Sequence, residues 1–483
     1  MMTRMERRLT RKNRAKTQIR QWFNKPVAIV YIHLLYLAVI LWLDGLDYRT
    51  KVSLFAFLSA LTLWTATPLP AGFTAVLLIV FIIFLNAGEV ELLYHSLSGE
   101  VIWLMISSFI IGKAVKSSGL AERLTQYVLR RFQNKSSILA GLSSILFVSA
   151  FFIPSTSGRA ALAMPVIKQF GKMFPVKAQK LLAVFAPVVI LMSTSAALTA
   201  AGSHVIGIGL LESTTGRTIS YMQWFLWGAP FAAAVTLITV ILILRMMPPE
   251  NRTGNMGNQQ PETVSTGKTG WNEKEKRTVM IILFLIAGWM TESIHGYDIA
   301  FITVIGALAI MMPGCGIISW KQGINAVSWN LIVFVAAATT LGNVLADTGI
   351  VEWMESKMMD GLYLFASAPE WLIVLFILFV TVTSHLYITS HTTRAVVFIP
   401  GLLLLSEATG LNPSAVVFLS LIGMNYCITF PVSSKALLLF YEEGEISYHA
   451  GDLLKISAVF MPVYILAAMS FYFTYWQWTG MQL

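Results

Sequence analysis

Charge is scarce in this chain. Of its 483 residues only 12% are Asp, Glu, Lys or Arg, against roughly 25% in a soluble domain. With 56% hydrophobic residues and a mean hydropathy of +0.70, the shortage excludes a water-soluble globular protein. Acids are scarcest in two stretches: none lies between Ser137 and Leu211, and only Glu407 lies between Trp371 and Phe440. Cation/proton antiporters and related metalloid-efflux permeases exchange their ions on mid-membrane carboxylates, so the acid-free stretches argue against that class. Cysteine is almost missing as well. Cys315 and Cys427 lack paired spacing, which excludes a disulfide framework or a zinc site, and both are expected to be apolar filler. No metal-ligand cluster, no nucleophile with a base at usable spacing and no soluble catalytic stretch is found. Neither an enzyme nor a metal or other cofactor is expected.

What the chain has is apolar length. Runs of about 17–25 apolar residues cross a bilayer as helices, and they recur from PVAIVYIHLLYLAVILWL through WFLWGAPFAAAVTLITVILIL to AFITVIGALAIMMP and beyond. Lipid-exposed backbone must satisfy its own hydrogen bonds, so these runs are helical. The expectation is an all-α polytopic membrane protein with about eleven transmembrane helices, two interrupted regions being re-entrant hairpins in an inverted repeat. Residues 1–25 carry nine Lys or Arg and precede a first span at 26–48 with no small-residue cleavage pattern. By the positive-inside rule the N-terminus is cytoplasmic and the protein sits multi-pass in the plasma or inner membrane. Its partner is the lipid bilayer, not nucleic acid.

A polar linker at 248–277 separates a first repeat, 49–247, from a second, 278–483. GKAVKSSGLAERL from Gly112 matches GNVLADTGIVEWM from Gly342. STSGRAALAMP from Ser155 matches SHTTRAVVFIP from Ser390, 235 positions on. These stretches place the hairpins at about 137–166 and 369–405. Arg123, Arg130, Arg131, Lys135, Lys168, Lys172, Lys177 and Lys180 flank the first hairpin; Asp347, Glu352, Glu355, Asp360 and Glu370 flank the second. A duplicated unit with opposite charge bias marks the inverted-topology repeat of secondary transporters. GLAERLTQYVLRRF and GIVEWMESKMM, too short and charged to span, are expected as interfacial helices.

Irregular backbone at membrane depth survives only where it is buried in protein or lines a cavity. Pro154 with Ser155, Thr156, Ser157 and Gly158 breaks the first hairpin, and Thr389, Ser390, His391, Thr392 and Thr393 break the second. Each helix that restarts there aims free N–H groups and its positive dipole end at the tip, which attracts anions. Arg159 and Arg394 follow at equivalent positions. One arginine at mid-membrane costs roughly 2.5–3.5 kcal/mol on insertion scales, and the acid-free surroundings favour an anionic ligand as its partner over bonding to carbonyls. Two further breaks, SAALTAAGSHVIGIG with Gly202, Ser203 and His204, and CITFPVSSKA with Pro431, Ser433 and Ser434, expose backbone groups for ions or carboxylates. The candidates for substrate contact are therefore Ser155, Thr156, Ser157, Arg159, Ser390, His391, Thr392, Arg394, Pro431 and Ser433. Gly202, Ser203, His204 and His391 are candidates for ion coupling. His385 and Tyr387 are expected to orient His391.

The paired tips, the WLMISSFIIGKAVKSSGLAERL and WNLIVFVAAATTLGNVLADTGIVEWM blocks and the FPVSS loop resemble the divalent anion/sodium symporter (DASS) family of dicarboxylate, citrate and sulfate carriers. The resemblance runs from about residue 50 to the end. It implies a homodimeric secondary transporter of small di- or trivalent anions that works by elevator-type alternating access. That family's tips carry Ser-Asn-Thr, which holds substrate carboxylates and helps ligate sodium. Here Ser155-Thr156-Ser157 and Ser390-His391-Thr392 stand instead, without either asparagine. Phe151 and Leu386 occupy the positions where sodium-coupled members carry a hydroxyl one helical turn earlier, and apolar side chains cannot ligate a hard cation. His-Thr-Thr at the second tip, and an arginine after the first, resemble the 2-oxoglutarate/malate and citrate/succinate exchangers. The resemblance thus implies sodium-independent exchange, or proton coupling through His391 or His204. Sodium-coupled symport is the alternative.

Overall fold

The computed structural model describes residues 27–67, 69–120, 123, 135–153, 155–172, 176–246, 270–348, 353, 368–442 and 448–483. The basic stretch 1–25, most of the 248–277 linker, Pro154 and, apart from a few residues, both expected interfacial helices lie outside them. Every regular element among the described residues is helical. The first half runs α1 (Val27–Trp42), α2 (Tyr48–Ala66), α3 (Ala71–Phe84), α4 (Glu100–Ser118), α5 (Lys135–Val148), α6 (Thr156–Lys172), α7 (Val176–Met192), α8 (Gly202–Thr215) and α9 (Tyr221–Met246). The second runs α10 (Glu273–Met290), α11 (Ile299–Met311), α12 (Trp329–Ala346), α13 (Glu370–Thr383), α14 (His391–Thr409), α15 (Pro413–Asn425), α16 (Lys435–Glu442) and α17 (Ala450–Phe471). Among the described residues five helical stretches are long and apolar enough to cross a membrane, Tyr221–Met246 and Ala450–Trp476 among them, and shorter apolar helices accompany them.

Polar residues between the apolar runs start the helices. The Asp47 carboxylate accepts the Thr50 N–H at 2.7 Å at the head of α2, and this bonding to Thr50 holds its carboxyl below the usual range. Asn272 and Glu275 form a reciprocal capping box on α10, and Asp298 caps α11 through the Phe301 N–H at 2.7 Å. Proline occurs inside α7, α9, α14 and α17, as membrane helices tolerate.

The 235-residue offset survives in the backbone. A 3-10 turn at Ser149–Phe151 ends α5 and another at Ser384–Leu386 ends α13; α6 and α14 then restart at Thr156 and His391. The second breaks correspond as well, with 3-10 turns at Ser193–Ala196 and Leu198–Ala200 before α8 and at Pro431–Ser433 before α16. Packing crosses between the halves. Helix α8, which follows the first-half break, packs on α14, the helix of the second tip, while α16 packs on α6, the helix of the first tip.

Within each half glycine permits close contacts, as small residues do between helices in lipid. A Cβ at Gly228 would lie 2.2 Å from the Ser195 carbonyl oxygen, and one at Gly423 would lie 2.0 Å from Thr381 Oγ1. At Gly228 the obstacle is backbone and cannot swing aside. Gly228→Ala is expected to lower the stability of the detergent-solubilised protein by about 1–3 kcal/mol, read as an earlier thermal unfolding midpoint. Gly401→Ala, whose Cβ meets nothing within 4 Å, is expected to leave it unchanged.

Candidate functional site

Both tips are built the same way. Ser155 Oγ accepts the Gly158 N–H at 3.1 Å and lies 3.1 Å from Ser157 Oγ. Ser390 Oγ accepts the Thr393 N–H at 3.3 Å and lies 3.0 Å from Thr392 Oγ1. Each serine thus caps its helix, leaving the other N–H groups of the first turn without intrahelical partners. In this arrangement hydroxyls and backbone amides share one small, positively polarised surface.

The arginines stand behind that surface. Arg159 is 1% exposed and donates to Ser193 Oγ at 3.0 Å and Thr194 Oγ1 at 2.6 Å. Arg394 is fully buried and donates more loosely, to Ser384 Oγ at 3.5 Å and the Tyr426 carbonyl at 3.4 Å. Protein hydroxyls and a carbonyl meet only part of each guanidinium: Arg159 Nε and Arg394 Nε and Nη2 have no hydrogen-bond partner among the described residues. A guanidinium has five donors in a rigid fork, and the breaks before α8 and α16 present acceptors to it. Between them runs a further link. Asn425 contacts Ser195 Oγ at 2.9 Å and His204 Nε2 at 3.0 Å, and the other ring nitrogen of His204 lies 3.2 Å from the Ala197 carbonyl. His204 also packs its ring on Trp224 with centroids 4.5 Å apart.

In front of the arginines lies a cavity of about 550 Å³. Both tips reach it through Ser155, Thr156, Ser157, Ser390, His391 and Thr392; Gly202 and Ser203 come from the first break, Ser434 and Lys435 from the second. Ser108, Ser328, Asn330 and the apolar Phe109 and Phe334 close the opposite side. Among the described residues no carboxylate lines it.

Several sequence candidates stand elsewhere. Arg159, Arg394, His204, Pro431 and Ser433 are buried and absent from the wall. Ser433 points into protein and yields its place to Ser434 and Lys435. His385 does not orient His391: its ring meets the Val382 carbonyl at 2.5 Å and Thr429 Oγ1 at 2.6 Å. Cys427 does so instead, with its Sγ 2.9 Å from His391 Nε2, and is thus more than apolar filler. Sequence reasoning passed over Lys435, Asn330 and Ser108. For Lys435 the signal was present, a lone cation within CITFPVSSKA; for the other two, hydroxyl and amide groups in apolar helices offered little.

Broken helices meeting head to head at one polar cavity, within a bundle of membrane-length helices, define a membrane transporter. The YdaH transporter of Alcanivorax borkumensis has a similar fold, with a TM-score of 0.60 over 90% of this chain and 99% of that one at 14% identity. The chain belongs to the family described as the sodium:sulfate symporter transmembrane region, whose model matches residues 21–482. This agrees with the DASS resemblance read from the tips. Among curated relatives, the citrate/succinate antiporter of Escherichia coli K12 is 22% identical over 388 residues, covering 76% of this chain and 77% of that protein. The L-tartrate/succinate antiporter of Shigella dysenteriae is 26% identical over 278 residues, covering 55% and 56%.

Removing one acceptor of a buried guanidinium leaves a donor unpaired at a cost of about 1–3 kcal/mol. Thr194→Val, similar in shape but without the hydroxyl, is expected to lower the thermal midpoint accordingly, whereas Thr194→Ser is expected to retain it.

Proposed function

We propose that this transporter exchanges small di- or tricarboxylates across the plasma membrane. The single observation that carries the reading is the convergence of two hydroxyl-bearing helix starts, Ser155–Ser157 and Ser390–Thr392, on one cavity whose wall, among the described residues, holds Lys435 and no acid. Helix N-termini and hydroxyls donate to carboxylate oxygens, and a low-dielectric wall strengthens each such bond. The antiporters among the relatives support exchange of organic acids in particular.

Exchange rather than sodium symport is supported by what stands beside the tips. The Phe151 ring packs between Phe147 and Phe225 with centroids 6.0 and 5.9 Å away, and Leu386 is apolar, so neither offers an oxygen to a hard cation. In this reading the interrupted pairs α5–α6 and α13–α14 are re-entrant hairpins entering from opposite sides in an inverted repeat. The N-terminus is cytoplasmic, two copies form a homodimer, and the unit holding both tips moves as an elevator. Proton coupling through His391 or His204 is the variant to separate from pure exchange.

Purified protein in proteoliposomes tests the reading. Labelled succinate is expected to enter vesicles preloaded with succinate or citrate at least tenfold faster than empty ones, with no response to a sodium gradient. An inward proton gradient that replaces the internal counter-anion establishes the proton-coupled variant. Sodium-driven uptake into empty vesicles overturns exchange.

A further inference from the structure

We infer that Lys435 is the fixed positive charge that binds one carboxylate of the transported anion, which makes the cavity asymmetric in charge and selective for dianions. This rests on the exchange reading above and gives it a residue. Of the side chains lining the cavity, Lys435 alone carries a fixed charge. It is exposed to the cavity, and among the described residues it has neither a hydrogen-bond nor an ion-pair partner. The other two cations of this region are buried and do not line the cavity. Arg159 and Arg394 donate to Ser193, Thr194, Ser384 and the Tyr426 carbonyl.

Position adds to charge. Lys435 opens α16, which packs on α6, so the ammonium belongs to the half of the cavity formed by the first tip and the second break. The other half pairs the second tip with the first break, where the Cβ position of Gly202 lies 3.7 Å from the Thr392 methyl, and no fixed charge enters it. One end of the cavity thus offers an ammonium with the hydroxyls of Ser155, Thr156 and Ser157. The other offers Ser390, Thr392 and the His391 ring, whose Nδ1 has no hydrogen-bond partner. A carboxylate at the first end gains a charge-assisted bond, and the second carboxylate of a dianion is held by neutral donors. An ammonium kept unpaired in a cavity shielded from acids is stabilised when a ligand supplies the counter-charge.

Binding of succinate, citrate and sulfate to the full chain in detergent, followed by calorimetry, tests the assignment. Lys435→Gln is expected to raise the succinate Kd about ten- to a hundredfold, with the anion-free melting temperature unchanged, and Lys435→Arg to stay within about threefold of the parent. In a Cys315→Ser background, Lys435→Cys is expected to regain succinate binding after aminoethylation by a methanethiosulfonate, which restores a cation. Sulfonatoethylation, which installs an anion of similar bulk, is expected not to. A structural role for the side chain would not distinguish the two signs. An unchanged Kd in Lys435→Gln, or equal recovery with both reagents, overturns the inference while leaving exchange intact. Absence of succinate exchange by the parent protein overturns the exchange reading itself.

Discussion

The polar centre of this protein depends on keeping two guanidinium groups, Arg159 and Arg394, inside an apolar bundle. Arg159 and Arg394 each need acceptors, and the nearest available are the hydroxyls and carbonyls that broken helices set free. Breaking a helix in lipid is unfavourable unless something takes its exposed backbone groups, and burying an arginine is unfavourable unless something accepts from it. Each defect answers the other. The arginine of a tip is held by the break that lies behind it, and the break is ordered by the arginine.

The two solutions are joined into one polar spine. Ser193 and Thr194 hold Arg159; the adjacent Ser195 meets Asn425; the adjacent Tyr426 holds Arg394 through its carbonyl. The chain of contacts runs from the arginine of the first tip to the arginine of the second. His204 closes it on one side through Asn425, and on the other Thr429, Ser457 and the Tyr426 hydroxyl form a second cluster. The tips are therefore positioned relative to each other by hydrogen bonds whose partners are themselves buried, which fixes their separation more tightly than apolar packing alone.

Much of this was legible before any coordinates. The breaks at Ser155 and Ser390 stood out because hydroxyl clusters interrupt apolar runs, and the constant offset between them carried over intact to the 3-10 turns at Ser149 and Ser384. What the letters did not disclose was direction. Arg159 and Arg394 were visible, but whether they face a ligand or the protein depends on Ser193, Thr194 and Tyr426, more than thirty residues away along the chain. The absence of acids suggested a missing partner, and hydroxyls with a carbonyl take up only some of the guanidinium donors. Cys427 looked inert for the same reason, since its contact with His391 spans 36 positions. Lys435 was passed over because its place at the cavity follows from the packing of α16 on α6, which the letters do not show.

The crossed packing of α8 on α14 and of α16 on α6 has a consequence for how such a chain can change over generations. Neither half lines the cavity from its own residues alone, because each break packs on the other half's tip helix. An enlargement at Gly202 is felt at Thr392, 3.7 Å away and nearly two hundred positions later. Substitutions in the two halves of the gene must therefore compensate one another, and a new substrate preference would be expected to arise as paired changes, one on either side of the linker.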